Sequence, residues 1–272
     1  MEIIFSICLS ILMEYKIGKK LGSGGQGTVY SAVNKTGQEV AIKVLKYSKE
    51  ALPKINTEVN ALKKLKCHPG ILCIKDTFTK GNKFYIVTEL LEGKDLFDVI
   101  HNSEPLDYQT KVNLSKQIIS AVVYAHRHGI IHKDIKPENI MVSPDLKVTI
   151  FDFGMACLKG ICSLSGTPDY TADELVPKAI HRYVEHRSVN VSKPALKKAD
   201  AWAVGMVLYE LFGNNRTSCE GAVLKKRLCI LNDIKNNIFR SNTGTPMDNV
   251  INRLLEKNPR KRITLPTALK LI

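Results

Sequence analysis

HKDIKPENIMV at residues 132–142 and FDFG at residues 151–154 decide how this chain is read. Between them, short β-forming runs at residues 140–142 and 148–151 flank Ser143, Pro144 and Asp145, three turn-forming residues, so the two motifs stand at the ends of one hairpin. Toward the N-terminus, β-branched and aromatic runs recur at residues 28–32, 39–44, 72–78 and 84–90, with one helical stretch, residues 55–66, among them. Toward the C-terminus the period changes. Leu114, Ile118, Ile119, Val122 and Val123 fall at helical spacing within residues 110–126, and Gly129 is placed to close that helix. The pattern predicts an α+β chain in two halves, one strand-rich with a single main helix and one mainly helical. A hinge near residues 91–94 joins them, and chemistry is expected in the cleft between them, at the ends of the hairpin.

The chain has 272 residues, 44% hydrophobic and 24% charged, enough to bury a sizeable core. Residues 201–212, AWAVGMVLYELF, fall short of the roughly 20 residues a membrane helix needs and contain Glu210, so they predict a core helix and no membrane span. The apolar residues 3–13 follow Glu2 rather than a basic region and lack a cleavage pattern. Residues 1–12 read either as an apolar extension or as the product of an early start codon, with Met13 the alternative start. Seven cysteines, an odd number without a C-x-x-C pair, argue against a disulfide framework and a zinc site. They point to a reducing, cytoplasmic or nuclear setting. The net charge of +14 is spread without a basic tract, which predicts no nucleic-acid binding and a bias toward acidic partners.

In LGSGGQGTVY, Gly22, Gly24 and Gly27 form G-x-G-x-x-G, a spacing that lets backbone amides approach phosphate oxygens. A dinucleotide site would need a helix next, and Thr28 to Ala32 reads as strand. Lys43 lies among apolar neighbours in EVAIKVL, where a lysine is costly unless it meets an anion. Glu58, on the helix whose inward stripe is Val59, Leu62 and Leu65, is its expected partner. Phosphoryl transfer needs a carboxylate to orient a hydroxyl, cations on the transferring group and oxygen ligands for magnesium. Asp134, Lys136, Asn139 and Asp152 supply those types in that order.

Together these motifs resemble the catalytic domain of eukaryotic serine/threonine protein kinases, over nearly everything from Tyr15 to Ile272. The resemblance implies a two-lobed kinase fold, residues 13–90 and 91–272, using ATP and Mg²⁺, with Mn²⁺ able to substitute, on protein substrates. It assigns Asp134 and Lys136 to catalysis and Asn139 and Asp152 to the metal. Nucleotide binding falls to Leu21, Gly22, Gly24, Gly27, Val29, Ala41, Lys43 and Glu58, and to the main chain of Glu89 and Leu91, with Thr88 as gatekeeper. GTPDYTADE, residues 166–174, resembles the peptide-binding segment, and with Lys136 it matches the Ser/Thr branch. Glu174 is expected to pair with Arg262, and Asp200, Trp202 and Gly205 to lie on the helix anchoring the catalytic loop. The rivals are a pseudokinase scaffold, which predicts loss of Lys43, Asp134, Asn139 or Asp152, and a small-molecule kinase, which usually lacks the GTPDY segment.

Some positions depart from the family. Lys133 stands where most relatives have Arg and cannot make a bidentate fork with phosphate, so only modest dependence on phosphorylation of Ser163, Ser165 or Thr167 is expected. Asp173 replaces a usual proline. The stretch between Glu174 and Asp200 is rich in His181, Arg182, His186, Arg187, Lys193, Lys197 and Lys198, which suggests an acidic or already phosphorylated substrate. A solvated basic loop is favoured over metal binding by His181 and His186, since no carboxylate or cysteine is seen to complete a ligand set. With the chain ending soon after Arg262, regulation is expected to be internal or by separate proteins. The sequence carries no sign of oligomeric state.

Overall fold

The computed structural model describes residues 14–24, 27–214, 219, 222–236 and 239–272; residues 1–12, read above as extension or early start, lie outside them. Five strands, β1 (Tyr15–Gly24), β2 (Gly27–Asn34), β3 (Glu39–Lys46), β4 (Ile74–Lys80) and β5 (Lys83–Glu89), form an antiparallel sheet in the order β1-β2-β3-β5-β4. Alternation along β3 sorts its two faces. Val40 and Ile42 pack with Ala32, Phe78 and Val87 on the outer face, and Leu45 packs with Ile86, Ile55 and Val59 on the other. The latter two belong to helix α1 (Leu52–Leu65), which starts three residues before the expected 55 because Pro53 suits a first helical turn. Lys66, at φ 51°, ends it in the left-handed region.

After β5 the chain turns at Gly93, whose φ of 115° and whose approach to Val142, where an added Cβ would come within 2.1 Å of the carbonyl oxygen, leave no room for a side chain. Strand β6 (Lys94–Asp95) then pairs with β7 (Ile140–Val142), which pairs with β8 (Val148–Ile150), so the hinge is stitched directly to the motif-bearing hairpin. Helix α2 (Leu96–His101) follows β6. Helix α3 (Tyr108–Arg127) is capped by Asp107, whose carboxylate accepts from the Thr110 amide at 2.9 Å. Its residues Leu114, Ile118 and Ile119 are wholly buried. Strands β9 (Ile161–Ser163) and β10 (Asn190–Ser192) pair on either side of α4 (Val176–Tyr183), and α5 (Lys193–Leu211), α6 (Val223–Asn236), α7 (Met247–Leu254) and α8 (Leu265–Leu269) complete the helical lobe. Helix α5 begins eight residues before the apolar run 201–212 that announced it and buries Asp200 and Trp202 along with that run. Among the described residues no helix is long and apolar enough to cross a membrane.

The expectation of free thiols is overturned. Six cysteines form three disulfides, Cys67–Cys73, Cys157–Cys162 and Cys219–Cys229, with Cys8 outside the described residues. Parity misled because one odd cysteine hides three pairs, and loops closing over six, five and ten residues need no C-x-x-C spacing. The cysteine argument for a reducing compartment falls with it. The first bridge ties the end of α1 to the approach to β4, and the second joins the segment after FDFG to β9.

Candidate active site

Lys43 leaves β3 on the side facing α1, and its Nζ lies 2.7 and 2.8 Å from the two Glu58 carboxylate oxygens and 3.8 Å from Asp152 Oδ1. Burial pushes the Glu58 carboxyl up, against the downward pull of the Lys43 ammonium. The ammonium therefore bridges the strand-rich lobe to the aspartate of FDFG. Asp152 adopts φ 60° at the head of a 3-10 turn, Phe153–Met155, and Phe153 is buried with its ring edge on His132, 4.6 Å between centroids.

The 132–139 loop is held from below by Asp200. Its Oδ2 accepts from His126 Nε2 at 2.8 Å and from the His132 amide at 2.9 Å, and its Oδ1 accepts from the Lys133 amide at 2.9 Å. Burial pushes this carboxyl up, and the hydrogen bond and charge of His126 with the His132 bonds outweigh it, leaving Asp200 below its ordinary range. His132 takes the amide of Asp134 on Nδ1 at 3.2 Å and therefore donates from Nε2 to the Phe151 carbonyl at 3.0 Å, which locks the loop to the hairpin's far end. Asn139 closes a 3-10 turn, Pro137–Asn139, and its Nδ2 donates to the Asp134 carbonyl at 2.8 Å and to Asp134 Oδ2 at 3.1 Å. Both amide hydrogens being so used, Asn139 Oδ1 is left as a neutral oxygen donor. Lys136 Nζ stands 3.9 Å from Asp134 Oδ2.

On the nucleotide side, an added Cβ at Gly22 or Gly24 would meet nothing within 4 Å, whereas at Gly27, with φ 140°, it would lie 2.5 Å from the Val44 carbonyl oxygen. Gly27 is thus required by its φ and by the close approach to the Val44 carbonyl of β3, and the other two face open space. Leu21 is exposed on β1, Val29 half-buried on β2 and Ala41 buried on β3. At the hinge the Glu89 amide is taken by the Cys73 carbonyl at 3.0 Å, its carboxylate accepts the Cys73 amide at 2.7 Å, and its carbonyl accepts the Thr88 hydroxyl at 3.0 Å. One lone pair of the Glu89 carbonyl and the main chain of Leu91 remain for a ligand. These features fit ATP, with open space under glycines and a lysine behind it. Asn139 and Asp152 fit Mg²⁺, being hard oxygen donors close to a phosphate-seeking cation.

Residues 163–167 are tied to the 132–139 loop by direct hydrogen bonds. Lys133 Nζ donates to the Ser163 carbonyl and to Ser165 Oγ, each at 2.9 Å. Burial pulls the Lys133 ammonium down to about 8, against the pull of Asp200. Thr167, read as one of three phosphorylation candidates, instead donates its hydroxyl to Asp134 Oδ1 at 2.7 Å. Arg182 donates to the Leu164 carbonyl and Tyr183 to the Gly166 carbonyl. Glu174 and Arg262 pair in a bidentate fork at 2.8 and 2.7 Å. Asp173 lies 3.3 Å from Lys257 Nζ at an angle that makes an ion pair but no hydrogen bond.

Several cations of the 175–199 stretch are thus spoken for: Lys193 and Lys198 also donate to main-chain carbonyls, those of Leu158 and Arg262. No carboxylate is expected from the sequence to complete a ligand set with His181, yet Glu185 Oε2 sits 2.8 Å from its Nδ1; no metal-holding cluster exists among the described residues. Sequence reasoning also missed His126 and Thr167 as neighbours of the site. His126 lies 74 positions from Asp200, and only its place on a mostly apolar helix stripe hinted at a partner.

A two-lobed fold with this lysine, loop and hairpin defines a protein kinase catalytic domain. The chain belongs to that family, whose protein kinase domain model matches residues 15–271. It is 31% identical to the serine/threonine-protein kinase cds1 of Schizosaccharomyces pombe, over 94% of this chain and 57% of that protein. Over 93% of this chain and 18% of the relative it is 30% identical to the serine/threonine-protein kinase TIO of Arabidopsis thaliana. A probable serine/threonine-protein kinase, fhkA of Dictyostelium discoideum, is 37% identical over 73% of this chain and 38% of its own length. The chain therefore spans less than two thirds of the length of these relatives.

Proposed function

We propose that the chain transfers the γ-phosphate of ATP to serine or threonine hydroxyls of proteins. The observation that carries this reading is the closed arrangement of Lys43 between Glu58 at 2.7 Å and Asp152 at 3.8 Å, beside an Asp134 carboxylate held by Asn139. Asp134 orients the incoming hydroxyl and takes its proton, Lys136 and Lys43 meet phosphate oxygens, and the glycine loop covers them. Asn139 and Asp152 would hold magnesium, or manganese in its place, which would supply charge neutralisation on the phosphates. A scaffold without transfer would be expected to lack one of Lys43, Asp134, Asn139 or Asp152, and all four are present.

The substrate preference is toward acidic or already phosphorylated sequences, resting on the exposed cations of the 175–199 stretch, Lys178 and Lys197, beside Arg187, which pairs with Glu185 at 3.3 Å. Because the segment is already tethered by Lys133, phosphatase treatment leaves most of the rate intact. ATP as donor places the activity inside the cell, cytoplasmic or nuclear, where thiol reductants compete with the disulfides. The test is label transfer from γ-labelled ATP with Mg²⁺ to Ser, Thr and Tyr peptides, with Asp134→Asn as control. Labelling of Ser or Thr by the unaltered protein alone is expected. ATP binding with no transfer by either protein would overturn the reading in favour of a scaffold.

A further inference from the structure

Residues 66–73, between α1 and β4, are fastened to several parts of the site at once. Their middle runs beside β8: the Leu72 amide donates to the Ile150 carbonyl at 3.0 Å and the Ile150 amide to the Gly70 carbonyl at 2.9 Å, two residues before Asp152. Their far end holds the hinge, since the Cys73 carbonyl takes the Glu89 amide and the Cys73 amide meets the Glu89 carboxylate. Their near end is fixed to α3, where the Tyr124 hydroxyl donates to the Leu65 carbonyl at 3.1 Å and the Tyr124 ring stacks on His68 at 4.0 Å. The Cys67–Cys73 bridge closes this stretch into one loop. A single covalent bond thus ties together the helix that carries Glu58, the strand that leads to Asp152 and the hinge residue Glu89.

We propose that this bridge is a site of reversible thiol exchange whose opening weakens nucleotide binding, a control that rests on the reading of the cleft as an ATP site. The two sulfurs differ in access, Cys67 being exposed and Cys73 only 4% exposed. An incoming thiolate therefore attacks Cys67 Sγ, and Lys63, Lys64 and Lys66, all exposed, give its approach a positive field. The S–S bond breaks and Cys73 leaves with the electron pair. It takes up the proton that the incoming thiol gave up, and its S–H has the Ile74 carbonyl as acceptor, 3.7 Å from Sγ. A second small thiol attacks the mixed disulfide and releases Cys67, so two small thiols are oxidised to their disulfide while the bridge is reduced to two thiols. Lys66 and Cys67 both stand at positive φ, 51° and 52°, a conformation that residues with a Cβ seldom adopt in succession. Opening the bridge removes the covalent hold on that turn, the end of α1 relaxes, and Glu58 and the hinge lose their common anchor.

The test uses the full chain in glutathione buffers of rising reduced-to-oxidised ratio, with the state of each bridge read by differential alkylation and mass spectrometry. Affinity for a non-hydrolysable ATP analogue with Mg²⁺ is measured alongside by equilibrium dialysis, so that turnover does not enter the readout. Opening Cys67–Cys73 is expected to raise the analogue's Kd at least about fivefold, and saturating analogue to make the bridge harder to reduce by the same factor, because coupling between two sites is reciprocal. Cys67→Ser, a change at an exposed position, should bind the analogue as weakly as the reduced protein does and should no longer respond to oxidation. Equal Kd values in the two states overturn the proposal, and so do thiols at Cys67 and Cys73 under every ratio. A full redox response in Cys67→Ser overturns it too, assigning the effect to Cys157–Cys162 or Cys219–Cys229. An analogue that binds in neither state overturns it together with the ATP reading, whereas the other three outcomes leave that reading standing.

Discussion

Replacing Arg262 by leucine should cost this protein about 3–5 kcal/mol, because a buried ion pair that loses one partner leaves the other unmatched. Arg262 is 1% exposed, forks onto Glu174, and donates to the carbonyls of Lys198 at 3.0 Å and Glu256 at 2.9 Å. Its guanidinium also lies 4.9 Å from the centroid of the Trp202 ring. The substitution strips those carbonyls of their donor as well, each worth about 1–3 kcal/mol when left unsatisfied. At roughly 2–4 °C per kcal/mol for a chain of this size, the melting point should drop by about 6–20 °C. Glu174→Leu should cost a similar amount, since it leaves a cation with a wholly buried side chain, whereas the Glu174 side chain is 19% exposed. The double variant should then be less damaged than the sum of the two by about 2 kcal/mol or more. Guanidinium titration at pH 7 followed by the fluorescence of Trp202, the chain's one tryptophan, measures all three. Single costs that add within about 0.5 kcal/mol would refute the coupling argument.

Lys133 links the same loop to pH. Its folded pKa of about 8 lies below the ordinary lysine value, so between about 8 and 10.5 the unfolded chain binds more protons and native stability rises with pH; below about 8 the burial cost is present in full. The stability of the unaltered protein relative to Lys133→Met should therefore grow from pH 8 to 10, and denaturant titrations giving a flat difference would count against a buried ammonium. For the Cys157–Cys162 bridge, Lys159 lies within the closed loop, so trypsin cutting there should yield fragments that part on a gel only after reduction. Fragments that separate without reductant would mean the bridge is not formed.

The fold class and the cleft were legible because they rest on short-range patterns. The two motifs flank one hairpin, the glycine spacing sits between two strands, and Lys43 and Glu58 lie fifteen residues apart on a strand and the helix after it. Helix starts were read late at α1 and α5, where Pro53 and the polar first turns of α5 carry no apolar stripe. The three disulfides were missed because pairing is a matter of which loops the fold brings together, which counting cannot reveal.

By itself the sequence determined the residue types at the site, their order along the chain and the family, since each motif is local and its chemistry needs those side chains. Only the tertiary structure decided that Asp200 receives both His126 and the 132–133 amides, that Thr167 donates to Asp134, and that Lys133 reaches Ser165. Those contacts join positions 33 to 74 residues apart, or reach 32 residues from Lys133 to Ser165. Hydrogen bonds over such separations have no periodic signature in the sequence, because packing of α3, α5 and the hairpin sets their geometry.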